Sequence, residues 1–429
     1  MRNYLLAGAA CIAAGSLLST AARAQSPVFP VDSTAGKLDG AAPGSVTVTL
    51  GGRIFSAVEF QNGSGDSGPN KTSTPNLVNY IRLYPSFDYV NPSGIHFGVS
   101  MEIRTAGTHQ GVGSSTDALF GFSAAGYVSS DKFGKFAFGT PSDAIDQLGV
   151  GVGDDFGTGG FFGEYAWENS AIWAMADAYD GDVPKQKLAY YSPSLGGFVT
   201  IGVSYQPTSV GLNNSGALVD NLPAGGGAGA AVGAQSRDRL EIAAQFAHAF
   251  GPAAVKADVG YAHANPSVVG DVGGYQDVSM INVGAQVNVA GFEVEGSVNT
   301  GHWAYNYNDS GSPSGPSLDG AHSTTAYIVG VGYATGPFSV GAQYYGVRFD
   351  QGDFGATTAS GALNTGAEGK MNGFAVGGSY SVGPGVSVNF DVATNTTKTP
   401  GGLQTETISG NKAGTTSGTL FGFGTYINW

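Results

Sequence analysis

Ile95-His96-Phe97-Gly98-Val99-Ser100-Met101-Glu102-Ile103-Arg104 places an apolar side chain at every odd position and a polar residue or glycine at every even one. Successive side chains of an extended chain point to opposite faces, so this stretch reads as a strand with one greasy face and one wet face. The same two-residue period runs through Val46-Thr47-Val48-Thr49-Leu50-Gly51-Gly52-Arg53-Ile54, through 253–262 and through 386–392. A soluble sandwich alternates in this way too. The spacing of the connections separates the two.

Sixteen segments carry the pattern: 46–60, 77–90, 94–105, 117–129, 133–140, 185–192, 197–206, 237–250, 252–264, 276–289, 291–302, 322–335, 337–350, 370–382, 386–397 and 417–429. The connections between them alternate strictly. Seven are short, such as Asn91-Pro92-Ser93, Gly251 and Gly383-Pro384-Gly385, and eight are long. Short turns on one side and long loops on the other are the layout of a transmembrane antiparallel β-barrel. The predicted fold is therefore all-β, a sixteen-stranded barrel, with both ends of the chain on the short-turn side. Most segments reach the roughly 9–11 residues that a membrane-crossing strand needs. The shortest two, 133–140 and 185–192, flank the longest loop, 141–184. Aromatic residues near segment ends (Phe60, Tyr89, Tyr205, Phe250, Tyr333, Phe338) fit girdles at the lipid–water boundaries.

Composition agrees. Gly accounts for 71 of 429 residues, more than twice the usual share of roughly 7%. Charged residues make up 12%, about half the roughly 25% of soluble domains, yet mean hydropathy is zero. Apolar and small polar residues are thus finely interleaved. Residues 1–24 read as an export signal: Arg2 opens it, an apolar stretch follows, and Ala22-Arg23-Ala24 offers a cleavage site. Residues 25–44 read as a mobile leader, and 45–429 as the barrel. Cys11 is the only cysteine, and it lies in the signal, so disulfides and cysteine-bound metals are excluded from the exported chain. Without Arg2 and Arg23, 16 basic residues face 32 acidic ones, a net charge of −16. That charge argues against nucleic acid as a partner.

Three stretches give the sequence a family likeness: Leu50-Gly51-Gly52-Arg53-Ile54, Phe133-Gly134-Lys135-Phe136-Ala137-Phe138-Gly139-Thr140 entering the longest loop, and Leu188-Ala189-Tyr190-Tyr191-Ser192-Pro193-Ser194-Leu195-Gly196-Gly197-Phe198 leaving it. With them the chain resembles the general porins of Gram-negative bacteria, the sixteen-stranded trimeric family of the outer membrane. The resemblance implies a water-filled pore, a homotrimer, and a third long loop folded into the barrel as a constriction. Phe421, Phe423, Ile427 and the terminal Trp429 share one face of the last segment. An ordinary edge strand is the plain reading of that face. The resemblance implies instead a barrel-closing signal read by the outer-membrane insertion machinery.

Loop 141–184 contains nine acids and neither Lys nor Arg. The acids expected at the constriction are Asp143, Asp146, Asp154, Asp155, Glu164 and Glu168. Strand parity puts Arg53, Arg82 and Arg104 on the wet face of the first three segments and Lys135 on that of the fifth. The resemblance implies a basic wall built from these four, opposite the acidic loop. The competing reading for each arginine is a structural ion pair, for example Arg104 with Glu102. Charge at the narrowest point sets selectivity, and the loop's acids predict a preference for cations. Asp177, Asp180 and Asp182 offer hard oxygen ligands, but not at the spacing of an EF-hand loop. A solvated loop is their plain reading, calcium binding the alternative, and no cofactor is otherwise expected.

The predicted function is passive diffusion of small hydrophilic solutes and ions, with outer-membrane lipid and the solutes themselves as the other partners. The alternatives are a substrate-specific channel for sugars or anions and, from another class, an outer-membrane barrel enzyme. No catalytic residues are assigned. Gly65-Asp66-Ser67-Gly68-Pro69 echoes a serine-protease signature, but no His precedes it. The six histidines show no zinc spacing.

Overall fold

A computed structural model of the chain describes residues 43–63, 75–105, 119–152, 156–162, 186–207, 236–266, 278–302, 324–350, 368–399 and 414–429. The export signal and nearly all of the leader lie outside these residues.

All sixteen expected strands form, each within three residues of its predicted limits. They are β1 (Val46–Gly63), β2 (Asn76–Val90), β3 (His96–Thr105), β4 (Leu119–Ser130), β5 (Gly134–Gly139), β6 (Lys187–Tyr191), β7 (Val199–Gln206), β8 (Ser236–Phe250), β9 (Ala253–Pro266), β10 (Val278–Val289), β11 (Phe292–His302), β12 (Thr324–Thr335), β13 (Phe338–Asp350), β14 (Glu368–Gly383), β15 (Val386–Thr399) and β16 (Gly414–Asn428). Each pairs antiparallel with its neighbours in sequence, and β1 pairs with β16 to close the barrel. Beyond the last residue of that ladder, Gly52 and Trp429 exchange both backbone hydrogen bonds at 3.1 Å. Closure leaves no free sheet edge, as backbone in hydrocarbon requires.

The outer face is a continuous apolar surface. Val48, Leu77, Val99, Val283, Val294, Val331 and Phe390 are among its exposed side chains. A patch of this extent marks contact with lipid rather than water. At the short-turn rim, cross-strand aromatic pairs form a girdle: Tyr89 with Phe97 at 6.4 Å, Phe292 with Tyr333 at 4.4 Å and Phe338 with Tyr380 at 4.7 Å between ring centroids.

The inner face departs from a simple polar lining. Met280, Ile328, Tyr345, Val347 and Met371 are buried in one cluster with Ile145, Leu148, Phe156 and Phe161 of the third long loop. That loop enters the barrel and packs on the wall, so part of the wall is apolar because protein, not water, covers it. Its described part contains a short helix, α1 (Ala144–Leu148), and a 3-10 turn (Gly160–Phe162).

Candidate functional site

Arg53 on β1 stands directly opposite Arg82 on β2, and Arg82 stands opposite Arg104 on β3. The three arginines thus form one row across adjacent strands, near the midpoints of β1 and β2 and at the long-loop end of β3. Parity had put them on the wet face, and they do point inward. None is more than 6% exposed. Like charges in register repel, and each arginine has compensating neighbours. Glu102 Oε1 accepts from Arg104 Nε at 2.5 Å and lies 3.9 Å from Arg82 Nε. Arg53 Nε donates to Asn428 Oδ1 at 3.0 Å. Arg53 also lies over the Tyr426 ring, Arg82 over Tyr80 and Arg104 over Phe122, at 5.1, 4.5 and 3.3 Å from the centroids. The ion pair weighed against a pore role for Arg104 therefore exists, within one strand and inside the same row.

Lys135 is not part of this row. Its register partner on β4 is Ser129, whereas that of Arg104 is Phe120. Nine residues of strand separate these partners, about 30 Å along β4. Lys135 instead sits over the Tyr127 ring at 4.8 Å, near the short-turn end.

The third long loop hangs from the wall by its own backbone. At its start, Ala144 N–H donates to Ser204 Oγ at 2.9 Å and Ile145 N–H to Glu241 Oε2 at 3.3 Å. Gln245 Nε2 donates to the Leu148 carbonyl at 2.7 Å, and Val150 N–H to Asp258 Oδ1 at 3.0 Å. Further on, Thr158 N–H donates to Asp391 Oδ2 at 2.7 Å and Phe161 N–H to Gln343 Oε1 at 2.5 Å. Phe161 also meets Tyr345 edge to face at 4.4 Å. These anchors lie on β7–β9, β13 and β15. The described part of the loop is therefore fixed along the wall between β7 and β15, and none of these anchors lies on the arginine strands β1–β3.

Glycines permit the close approach. A Cβ on Gly284 of β10 would strike the Val150 carbonyl oxygen and the Asp258 carboxyl. Gly151 adopts φ +86° where the loop backbone passes the carbonyls of Gly296 and Ala285, a conformation that favours glycine.

Asp143 caps α1, accepting the Asp146 N–H at 3.0 Å, and pairs with Lys187 Nζ at 3.3 Å. Burial works against its charge, but the Lys187 ammonium and the Arg239 guanidinium hold its carboxyl below the ordinary value of 3.8. Asp143 is thus a buried anchor, not an acid facing the lumen. Asp146 is exposed on the side of α1 away from its buried residues Ala144, Ile145 and Leu148. Asp154, Asp155, Glu164 and Glu168 lie outside the described residues, as do Asp177, Asp180 and Asp182 of the calcium alternative. Among the described residues no three His, Cys, Asp or Glu side chains are grouped to hold a metal. Phe421, Phe423, Ile427 and Trp429 are all exposed on the outer face of the closing strand.

Sequence reasoning missed two kinds of residue. Lys187 and Arg239 are inward cations, and Arg239 pairs with Glu241 at 2.8 Å. The parity that found Arg53 would have found both. Glu241, Asp258 and Asp391 face inward by the same parity, but no local pattern reveals that they receive loop amides.

Residues 7–400 match the family model described as Gram-negative porin. No curated protein matches the chain. Among solved structures, an anion-selective porin from Comamonas acidovorans is similar with a TM-score of 0.54 at 16% identity, over 90% of this chain and 100% of its own. A further porin gives 0.51 at 18% identity, over 89% and 100% of the two chains. OmpT of Vibrio cholerae in a trimer form gives 0.50 at 14% identity, over 90% and 100%.

Proposed function

The chain belongs to the Gram-negative porin family, and from that premise we propose that it forms a water-filled, cation-preferring pore for passive diffusion of small hydrophilic solutes and ions. Family and fold make it an outer-membrane channel, and both point away from an enzyme. The observation that supports the finer reading is the third long loop. It holds nine acids and no base, and its described part is fixed inside the barrel, with Asp146 exposed. A narrowed, water-filled passage bearing excess negative charge attracts cations and repels anions. We include in the proposal export by residues 1–24, insertion read from the Trp429 end, and assembly as a homotrimer. The solved relative in a trimer form supports the last of these.

One observation favours a second reading, an anion-preferring pore. Arg53, Arg82 and Arg104 place three cations in one register, with Glu102 as an acid paired to Arg104 and near Arg82. Planar-bilayer conductance of the refolded chain across a salt gradient decides between the two. Steps in triplets with a reversal potential on the cation side support the proposal. An anion-side reversal potential assigns the selectivity to the arginine row. A folded barrel that conducts no ions refutes both.

A further inference from the structure

The outer surface carries a second basic row. Arg348 on β13 stands opposite Lys370 on β14, and Lys370 stands opposite Lys398 on β15. All three are exposed. They share the outward parity of Tyr344, Phe374 and Val392, which are exposed on the same strands closer to the barrel's middle. These are three of the chain's 18 basic residues. Among the described residues, no other basic side chains oppose each other across strands on the outer face.

Their depth is set by the registers below them. Tyr344 stands opposite Phe374, and Phe374 opposite Thr394. The next outward row is Gly346, Asn372 and Thr396, and the one after it is Arg348, Lys370 and Lys398. From the apolar band the surface thus turns polar and then cationic within four residues, about 13 Å along a strand. That is the passage from hydrocarbon to headgroup. The row continues on both sides as hydroxyls. Thr325 stands opposite Arg348 and bonds Thr300 at 2.8 Å between oxygens, and Thr415 stands opposite Lys398. The strand ends concerned lead into long loops, so this is the long-loop rim.

Three cations in adjacent registers repel one another. Asp350 and Glu368 pair in register one row further out. Lys398 has Lys370 and Thr415 as its cross-strand neighbours. A phosphate in the adjoining leaflet would meet ammonium, guanidinium and hydroxyl donors together, while its acyl chains lay along Phe374 and Val392. Such charge-assisted bonds to phosphate are strong.

We propose that Arg348, Lys370 and Lys398 form a site on the outside of the barrel for the phosphate of an anionic lipid headgroup in the leaflet at the long-loop rim. This site stands apart from conduction and holds whatever the selectivity of the pore.

The test uses the full folded chain, stripped of lipid, in nonionic detergent. Micelles are doped with phosphatidic acid or with phosphatidylcholine, and retained lipid is counted by native mass spectrometry. Inorganic phosphate alone forms a third arm. The wild type retains phosphatidic acid in preference to phosphatidylcholine, and less of it at high salt. Each cation near an anionic lipid changes affinity about fivefold. Lys398→Gln therefore weakens retention about fivefold, and the variant with all three changed to Gln weakens it on the order of a hundredfold. Lys132→Gln, in a short turn at the opposite rim, leaves it unchanged. Equal retention by the wild type and Lys398→Gln overturns the proposal, even if the triple variant fails to fold. Competition by millimolar inorganic phosphate as effective as that by lipid also overturns it, making the row a general anion site.

Discussion

Replacing Asp391 by Ala cuts one tether of the third long loop without touching the sheet. The carboxyl is fully buried on the inner face of β15 and receives the Thr158 N–H at 2.7 Å. Thr158 is itself 1% exposed, so its amide has no ready contact with water while the loop stays docked. Leaving a buried amide without its acceptor costs about 1–3 kcal/mol. At about 2 kcal/mol, the undocked population of this segment rises roughly thirtyfold, since each 1.4 kcal/mol is a factor of ten. The anchors on β7–β9 and β13 remain, so the loop does not leave the barrel. It swings from the wall into the lumen and back.

Single-channel recording in a planar bilayer reads this motion as brief partial closures. Asp391→Ala is expected to close far more often than the wild type, with unchanged conductance of the fully open level. Asp391→Asn keeps an oxygen acceptor at the same place and should fall close to the wild type. Thermal unfolding of the barrel should barely move in either, because the side chain makes no ladder hydrogen bond. If Asp391→Ala gates like the wild type, the wall carboxyl does not hold the loop and the docking account fails. If Asp391→Asn flickers as much as Asp391→Ala, charge rather than the amide bond is responsible, and the magnitude above is wrong.

Asp143 supplies a pH dependence. Its folded value lies below the unfolded one, so its stabilisation of α1 is complete above about pH 4 and is lost as pH falls through the folded value. Asp143→Asn should therefore flicker at neutral pH as the wild type does only in acid, recorded between about pH 3 and 7. Glu102→Gln removes the carboxylate bonded to Arg104 and close to Arg82, and the reversal potential should move toward the anion side. An unmoved reversal potential would show that the arginine row lies off the path of the ions. Gly284→Ala forces a methyl against the Val150 carbonyl, an overpacking cost of about 1–3 kcal/mol. It should raise closure frequency as Asp391→Ala does, while Gly332→Ala, where a Cβ meets nothing closer than Glu293 Cβ at 3.7 Å, should not.

The barrel was legible because lipid and water impose one rule on every strand, and a period of two is visible in any ten residues. The same parity placed Arg53, Arg82 and Arg104 inward, although it could not say that they share a register. Register depends on how many residues each turn and loop absorbs, and Lys135 shows the consequence. Its parity is right, yet it lies about 30 Å along the strand from the row it was grouped with. The loop was legible only as a quantity of charge. Asp143 and Asp146 are three residues apart in an acidic stretch, but one is a buried cap tied to Lys187 and the other is exposed. Nothing local distinguishes them, because the difference is made by Lys187 and Arg239 on strands that enter the sequence more than forty residues later. The wall that receives the loop is equally silent. Asp391 looks like any polar residue in an alternating strand, and its meaning comes from an amide 233 residues away. In a barrel of this kind, one-dimensional pattern therefore specifies the container. The passage through it is set by long-range pairs between the wall and a single inserted loop, and those pairs are where mutation should alter conduction without unfolding the protein.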